Sequence, residues 1–239
     1  MKREKRIIFL VAAYIIAATT SFSYAQSSAE LRDSLGVVAE QVRLHPDLLY
    51  LRLQKASLNM QLEQYDYARM EYDYVLQKDP DNLAALFFRA WCNEKLFRYG
   101  FARADYEHLL KLVPDNFEVR LGLALLNHKD KHLTIAYDQI NMLVEQHPDS
   151  AIVWAARGGM EKDRMMTDAA IYDFTQAIRL DPGNTSYLLS RCELYLKEKK
   201  YADAREDLQA LVSLGVDPSS LQHLFKQLPK KKKKKRGLF

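Results

Sequence analysis

The prolines of this 239-residue chain fall on a fixed period of 34 residues. Five of the seven follow one another at that distance: Pro46, Pro80, Pro114, Pro148 and Pro182. Each is followed within two residues by Asp, Asn or Ser, side chains that cap the first turn of a helix. Because a proline cannot continue the helix before it, each segment predicts the end of one helix and the start of another. A period of this length indicates a stacked array of helical repeats.

The residues between the prolines follow the same period. Alanine stands twelve residues before each proline position, at Ala68, Ala102, Ala136, Ala170 and Ala204, although Val216 replaces the last proline. A small residue stands twenty-four residues before it, at Ala56, Ala90, Ala124, Gly158 and Cys192. A bulky apolar residue stands eight residues before it, at Tyr72, Tyr106, Ile140, Phe174 and Leu208. Small residues let two helices approach closely and bulky ones fill the adjacent space, so the pattern predicts paired helices.

This pattern resembles the tetratricopeptide repeat, a helix–turn–helix unit of 34 residues, over about residues 49–218. The segment 151–184 matches best, with Trp154, Gly158, Ala170, Phe174, Ala177 and Pro182 where the family usually has them. The resemblance implies an all-α, right-handed α-solenoid of about five helix pairs. The five repeats are then 49–82, 83–116, 117–150, 151–184 and 185–218. Residues 26–48 and 219–229 are predicted to form capping helices at the two ends, because a terminal repeat cannot bury its own apolar face.

The N-terminal segment 1–25 is typical of a bacterial export signal. A basic start at Lys2 and Arg3 leads into the apolar run 7–18, and small residues at Ser23 and Ala25 suit signal peptidase. The alternative is an uncleaved membrane anchor, although the run is shorter than the ~20 residues of a membrane span. Both interpretations predict that the repeats lie outside the cytoplasm, in the periplasm or cell envelope.

The chain ends in a run of seven basic residues. They are Lys230, Lys231, Lys232, Lys233, Lys234, Lys235 and Arg236. Without this tail and the segment 1–25, the chain carries 24 basic and 30 acidic residues, which disfavours nucleic-acid binding by the repeats. A run of like charges is expected to be disordered over 230–239. Its role is left open between a solubilising tail, contact with anionic lipid headgroups, and docking on an acidic protein or cell-wall polymer.

In the family, the first helices of successive repeats line an inner, concave groove. Carried onto this chain, the resemblance predicts a partner-binding groove at Tyr50, Leu53, Met60, Phe87, Trp91, Leu121, Leu125 and His128. The alternative is that these side chains pack on neighbouring helices. Co-chaperones of the family hold a terminal carboxylate from groove positions that carry Leu53, Ser57, Phe88, Glu118 and Gly122 here. None of these can clamp a carboxylate, so the groove ligand is predicted to be apolar.

A basic residue on the first helix recurs with an acidic residue sixteen positions later on the second. The pairs are Lys55 with Glu71, Arg89 with Asp105, Arg157 with Asp173, and Arg191 with Asp207. The third repeat has lost both partners together, to Leu123 and Gln139. Joint presence and joint loss predict a structural ion pair across each helix pair, since a partly buried arginine without its partner is costly. The alternative is a row of ligand-binding arginines.

No catalytic motif stands out, and we expect neither an enzyme nor a cofactor. The six histidines show no metal-ligand spacing, and neither a phosphate-binding glycine loop nor a nucleophile elbow is present. Cys92 and Cys192 lie three repeats apart, on the order of 30 Å at the usual helix spacing. A disulfide needs ~6 Å between Cα atoms, so two buried free thiols are predicted.

The sequence as a whole favours a protein–protein adaptor that binds a helix or peptide of its partner. The alternative is a tether that acts through the basic tail.

Overall fold

In the computed structural model, residues 28–229 are described, and this part of the chain is all-α, with twelve helices. The predicted export signal and the basic tail lie outside the described residues. Contacts divide the chain into two compact units, Met1–His132 and Leu133–Phe239. No helix among residues 28–229 is both long enough and apolar enough to cross a membrane.

The first unit is built from six described helices, each packed on the next. They are α1 (Ser28–Leu44), α2 (Leu49–Gln61), α3 (Tyr65–Lys78), α4 (Leu83–Lys95), α5 (Tyr99–Leu112) and α6 (Phe117–Lys129). Helix α1 buries Val38 and Val42 beside Leu51 of α2. The remaining helices share one apolar core that contains stacked aromatic rings, such as Tyr72 against Phe88 at 6.1 Å between ring centroids. The apolar stripe of each helix thereby faces its neighbours.

The second unit is built from six further helices. They are α7 (Leu133–Gln146), α8 (Ala151–Asp163), α9 (Thr167–Leu180), α10 (Thr185–Lys197), α11 (Tyr201–Ser213) and the short α12 (Gln222–Phe225). The terminal helix was predicted over 219–229. It is shorter because Asp217 accepts hydrogen bonds from the backbone and the hydroxyl of Ser219, which form a turn instead. Leu221, Leu224 and Leu228 still bury themselves against α10 and α11.

Within each unit, the small positions of the sequence pattern lie where paired helices are in contact. The alanines at the two small positions are fully buried in every repeat that carries them. At Gly158 a Cβ atom would lie 3.2 Å from Asp173 Cβ and 3.3 Å from Phe174 Cδ2, closer than most real contacts. Helix α8 can therefore approach α9 only because position 158 lacks a side chain.

The predicted helix caps are present at three of the five proline segments. The side chains of Asn82, Asn116 and Asn184 each accept a hydrogen bond from a backbone N–H of the first turn. Ser150 stands at the start of α8 but makes no such bond, and Leu48 rather than Asp47 precedes α2. The cap prediction was therefore wrong for those two segments, where packing of the helix fixes its start without side-chain help.

The two helices of every pair are joined by the same type of turn, which the sequence does not predict. The second residue after the helix end has a positive φ of 57–64° in each repeat, at Glu63, Phe97, Lys131, Met165 and Lys199. The next backbone N–H bonds back to the third-last residue of the first helix, for example Arg98 N to Asn93 O at 2.7 Å. This is the Schellman ending, which usually carries glycine at the left-handed position. Here no glycine occupies it.

Candidate functional site

The predicted groove residues of the first unit differ widely in exposure. Tyr50 at the start of α2 is 62% exposed, whereas Leu121 and His128 of α6 are buried. The others are partly buried: Leu53 and Met60 of α2, Phe87 and Trp91 of α4, and Leu125 of α6. The first-helix stripe therefore offers one largely exposed aromatic ring and several partly buried apolar side chains.

Each of the two central aromatic residues of this stripe is partly engaged with its own core. Phe87 makes edge-to-face contacts with Phe88 and Tyr106, at 5.4 and 6.0 Å between ring centroids. Trp91 meets Tyr65 edge-on at 5.4 Å, and the ammonium of Lys95 lies 4.9 Å from the Trp91 ring. Such contacts hold the rings rigid. A rigid, half-covered aromatic side chain loses little entropy when a partner covers its remaining face.

The predicted base–acid pairs are in contact. Arg89 donates to Asp105 through Nε and Nη2, at 2.9 and 2.5 Å. Arg157 binds Asp173 in the same two-pronged way at 2.6 and 2.8 Å. Arg191 binds Asp207 at 3.1 and 2.6 Å, and Lys55 lies 2.6 Å from Glu71. The aspartates are buried, so each guanidinium supplies the charge and the hydrogen bonds that its partner needs inside the protein.

Each of the three arginines also reaches back to the second helix of the preceding repeat, sixteen residues earlier. Arg89 Nη1 donates to Asp73 at 2.9 Å. Arg157 Nη1 donates to Asn141 at 3.1 Å, and Arg191 Nη1 to Thr175 at 3.0 Å. These second acceptors were missed from the sequence because they change from carboxylate to amide to hydroxyl. The arginine therefore links two neighbouring repeats as well as two helices of one repeat.

One further position that recurs in the repeats places polar side chains in the interior, and the sequence pattern described above does not include it. Near the end of the first helix, Asn59, Asn93 and Asn127 are each at most 4% exposed. In the fourth repeat Glu161 takes this place, and one of its oxygens, Oε2, is buried without a hydrogen-bond partner among the described residues. The spacing of 34 residues between these asparagines, one in each of the first three repeats, was a signal in the sequence that could have identified the position.

The environment of Glu161 disfavours its charge. Burial, together with the negative charge of Asp173, raises the pKa of Glu161 to about 7. Arg157 and Arg164 oppose this shift, but Arg157 is already bound to Asp173. Glu161 therefore changes charge near neutral pH, unlike the amides at the same position in the first three repeats.

The two cysteines are buried thiols in different units. Burial raises the pKa of Cys92 and of Cys192 to about 12 in each case, which keeps them protonated and unreactive near neutral pH. Within residues 28–229, no group of three or more His, Cys, Asp or Glu side chains is placed to hold a metal ion.

Comparison with solved structures identifies the class of fold. No protein-family model matches the chain, and no curated protein matches it in sequence. A tetratricopeptide repeat protein from Parabacteroides merdae is similar in structure, with 18% identity, 94% of this chain and 93% of that chain covered, and a TM-score of 0.71. TTC0263, a thermophilic TPR protein of Thermus thermophilus, is 17% identical, with 75% of this chain and 98% of that chain covered and a TM-score of 0.60.

A third similar structure is YrrB, described as a TPR protein with an unusual peptide-binding site. YrrB is 17% identical to this chain, and the match covers 79% of this chain and 97% of the YrrB chain with a TM-score of 0.52. The chain is therefore an all-α helical-repeat protein. More specifically, it has the tetratricopeptide-repeat fold, as the spacing of its prolines and alanines predicted.

Proposed function

We propose that this protein is a protein–protein interaction adaptor of the cell envelope, which binds a helix or peptide of its partner along the first-helix stripe. One observation carries the proposal: on the first-helix stripe Tyr50 is 62% exposed, and the apolar side chains of α2 and α4 on that stripe are only partly buried. Apolar surface of this kind on a folded protein marks contact sites. Repeat arrays also build extended binding surfaces from successive repeats.

The fold supports the proposal that the partner is a protein. YrrB, which shares the fold, is described as having a peptide-binding site. The cell-envelope location depends on the segment 1–25, which has the composition of an export signal. The binding function requires no catalytic group and no cofactor.

A crosslinking pull-down from envelope extract tests the groove. Tyr50→Glu places a charge on the stripe without removing a core side chain, and we expect it to abolish capture of a specific partner. Tyr67→Glu is the matched control, because Tyr67 is equally exposed, at 64% against 62%, but lies on the second helix of the same repeat. Equal loss of the partner in both variants, or in neither, would contradict the groove proposal.

The alternative function is a tether to an anionic membrane or polymer surface, supported by the seven basic residues 230–236. Each basic residue near an anionic lipid surface contributes ~1 kcal/mol. A chain lacking residues 230–239 separates the two functions in the same pull-down and in a fractionation of cells. If this deletion releases the protein from the envelope while Tyr50→Glu changes nothing, the tether replaces the adaptor.

A further inference from the structure

A patch of exposed apolar side chains lies on the second helices of the first two repeats. It consists of Tyr67 and Met70 of α3, Phe101 of α5, and Phe97 in the turn before α5, each between 57% and 79% exposed. Tyr67 and Phe101 hold equivalent positions of neighbouring repeats, 34 residues apart, so they project from the same side of their helices. These four residues are called the second-helix patch below, since the first-helix stripe lies on other helices.

An ion pair joins the two halves of this patch. Arg98, which follows Phe97, has its Nη2 3.3 Å from a carboxylate oxygen of Asp66, which precedes Tyr67. The start of α5 therefore lies beside the start of α3, and the apolar side chains of the two helices form one surface. The side chains of Arg98 and Asp66 are themselves 42% and 56% exposed, so this surface also presents one charge of each sign.

The repeat does not require apolar side chains at these positions. In the fifth repeat the same positions carry exposed charged residues: Asp203 in place of Tyr67 and Phe101, Glu206 in place of Met70, and Lys199 in place of Phe97. Phe97 also has a φ of 58°, which is costly for a bulky side chain. Monomeric proteins rarely expose an apolar patch of more than a few hundred Å², and larger ones mark interaction surfaces. The second-helix patch is therefore a contact surface rather than a demand of the fold.

The exposed area of this patch is sufficient for a pair of chains. A large aromatic side chain presents about 150–250 Å² of surface, so four large side chains at this exposure offer roughly 500 Å². Two copies that cover each other's patch would bury about 1,000 Å² of apolar surface, near the lower limit for a specific interface. An interface of this size is weak, so single chains should predominate at low micromolar concentration.

We propose that two copies of this chain associate through the second-helix patch around a two-fold axis. In such an interface the same surface is used by both chains, so it must complement itself. The patch meets this condition, because its apolar side chains can cover one another and Arg98 of each chain can meet Asp66 of the other. A partner surface of one charge sign would instead repel either Arg98 or Asp66. The proposal does not require the groove to be a binding site.

Sedimentation velocity of the full chain, from about 1 to about 500 μM, tests the association. Phe101→Asp introduces the residue that the fifth repeat carries at this position, so it should fold, and it should weaken association at least about tenfold. Tyr172→Asp is the matched control, because Tyr172 is 57% exposed on the second helix of the fourth repeat, and it should associate like the wild type. Residues 1–27 and 230–239 are present in every variant, so any association through them is common to all.

A pair of charge variants tests the contact between chains directly. Asp66→Arg has two positive charges at the patch and Arg98→Asp has two negative ones, so each should be monomeric by itself. An equimolar mixture should associate about as strongly as the wild type, since each charge then meets its opposite on the other chain. Neither variant can form the pair within one chain, so recovery in the mixture reports contact between two chains.

The groove experiment and this one can fail separately. Tyr67→Glu, the control variant of the groove test, should be monomeric and should still capture the groove partner. Thermal melts identify any variant that fails to fold, and Met70→Glu, which copies Glu206, replaces Phe101→Asp in that case.

Three outcomes would overturn the proposal. The first is a wild type that stays monomeric at the highest concentration, and the second is association of Phe101→Asp at wild-type strength. The third is a mixture of the two charge variants that stays monomeric. If the wild type is monomeric but cosediments with phosphatidylcholine vesicles, and Phe101→Asp does not, the patch contacts a membrane surface instead of a second copy.

Discussion

The two units place different side chains at one repeated position near the end of the first helix. In the first unit this position carries buried asparagines, such as Asn93, and in the second unit it carries Glu161 in the fourth repeat. An asparagine is neutral at every pH, whereas the pKa of Glu161 is raised to about 7 by burial and by Asp173. The same backbone position is therefore insensitive to pH in one unit and sensitive in the other.

The arginine networks of the two units differ in a related way. Arg89 binds two carboxylates, those of Asp73 and Asp105. Arg157 binds one carboxylate, that of Asp173, and the neutral amide of Asn141. The second unit nevertheless has a second acid close to Arg157, because Glu161 interacts with both Arg157 and Asp173. The comparison shows that the repeat determines the positions of the charged side chains. How pH affects each unit depends on which acidic residues occupy those positions.

The largest effect is expected from breaking the Arg157 network. Arg157→Leu leaves Asp173, which is 1% exposed, without its counter-charge, and should destabilise the protein by about 3–5 kcal/mol. The third repeat carries Leu123 and Gln139 at the two corresponding places. The double variant Arg157→Leu/Asp173→Gln copies that repeat, so it should recover most of the loss. Urea denaturation of the wild type, the single variant and the double variant measures both values.

If the double variant is as unstable as Arg157→Leu, the cost comes from lost packing of the arginine stem rather than from a stranded carboxylate. Arg89→Leu with Asp105→Gln provides the matching pair in the first unit. There the double variant should recover less, because Asp73 also loses a partner.

The repeat itself could be predicted from the sequence because its strongest markers have simple physical causes. Prolines end helices, and small residues such as Ala90 and Ala170 allow close helix contact, so both recur at fixed places. The base–acid spacing of sixteen residues likewise placed Arg89 with Asp105. These features depend on residue type at one position and are visible in a single sequence.

Other features could not be predicted because residue type alone does not determine them. The turn within each helix pair has a left-handed residue, but Phe97 and Met165 give no sign of it, since glycine is the usual marker. The exposure of the groove residues could not be predicted without knowing how the helices pack, as the contrast between the exposed Tyr50 and the buried Leu121 shows.

A smaller effect is expected from pH acting on Glu161. The folded-state pKa is about 7, above the ordinary value of 4.5, so the folded protein holds the proton more tightly than the unfolded chain. The resulting stability is complete below pH 4.5 and is lost as pH rises to about 7. Because the side chain is partly exposed, we expect a loss of about 1–2 kcal/mol, less than the full shift would give.

The variant Glu161→Gln isolates this contribution and makes the second unit resemble the first. Between pH 4.5 and 8, the free energy of unfolding of the wild type should fall by about 1–2 kcal/mol more than that of Glu161→Gln. It should also be the more stable protein at pH 8. Glu206→Gln on the exposed surface of α11 controls for the loss of one negative charge and should keep the wild-type profile. Parallel profiles for Glu161→Gln and the wild type would show that folding does not raise the pKa of Glu161.

The smallest effect is expected at the left-handed turn residues, and it should be the same in both units. Phe97→Gly and Met165→Gly remove a side chain from a backbone with φ near 60°, which glycine adopts without strain. Both side chains are largely exposed, at 79% and 73%, so little packing is lost. Each variant should gain about 0.5 kcal/mol in the free energy of unfolding, after the greater entropy of glycine in the unfolded chain is deducted. Glu107→Gly in the exposed middle of α5 should instead lose about 1 kcal/mol, because glycine is a poor helix former. A loss at Phe97 with a gain at Met165 would mean that the Phe97 ring, which meets Tyr99 at 6.2 Å, contributes more to the first unit than the strain in its backbone costs.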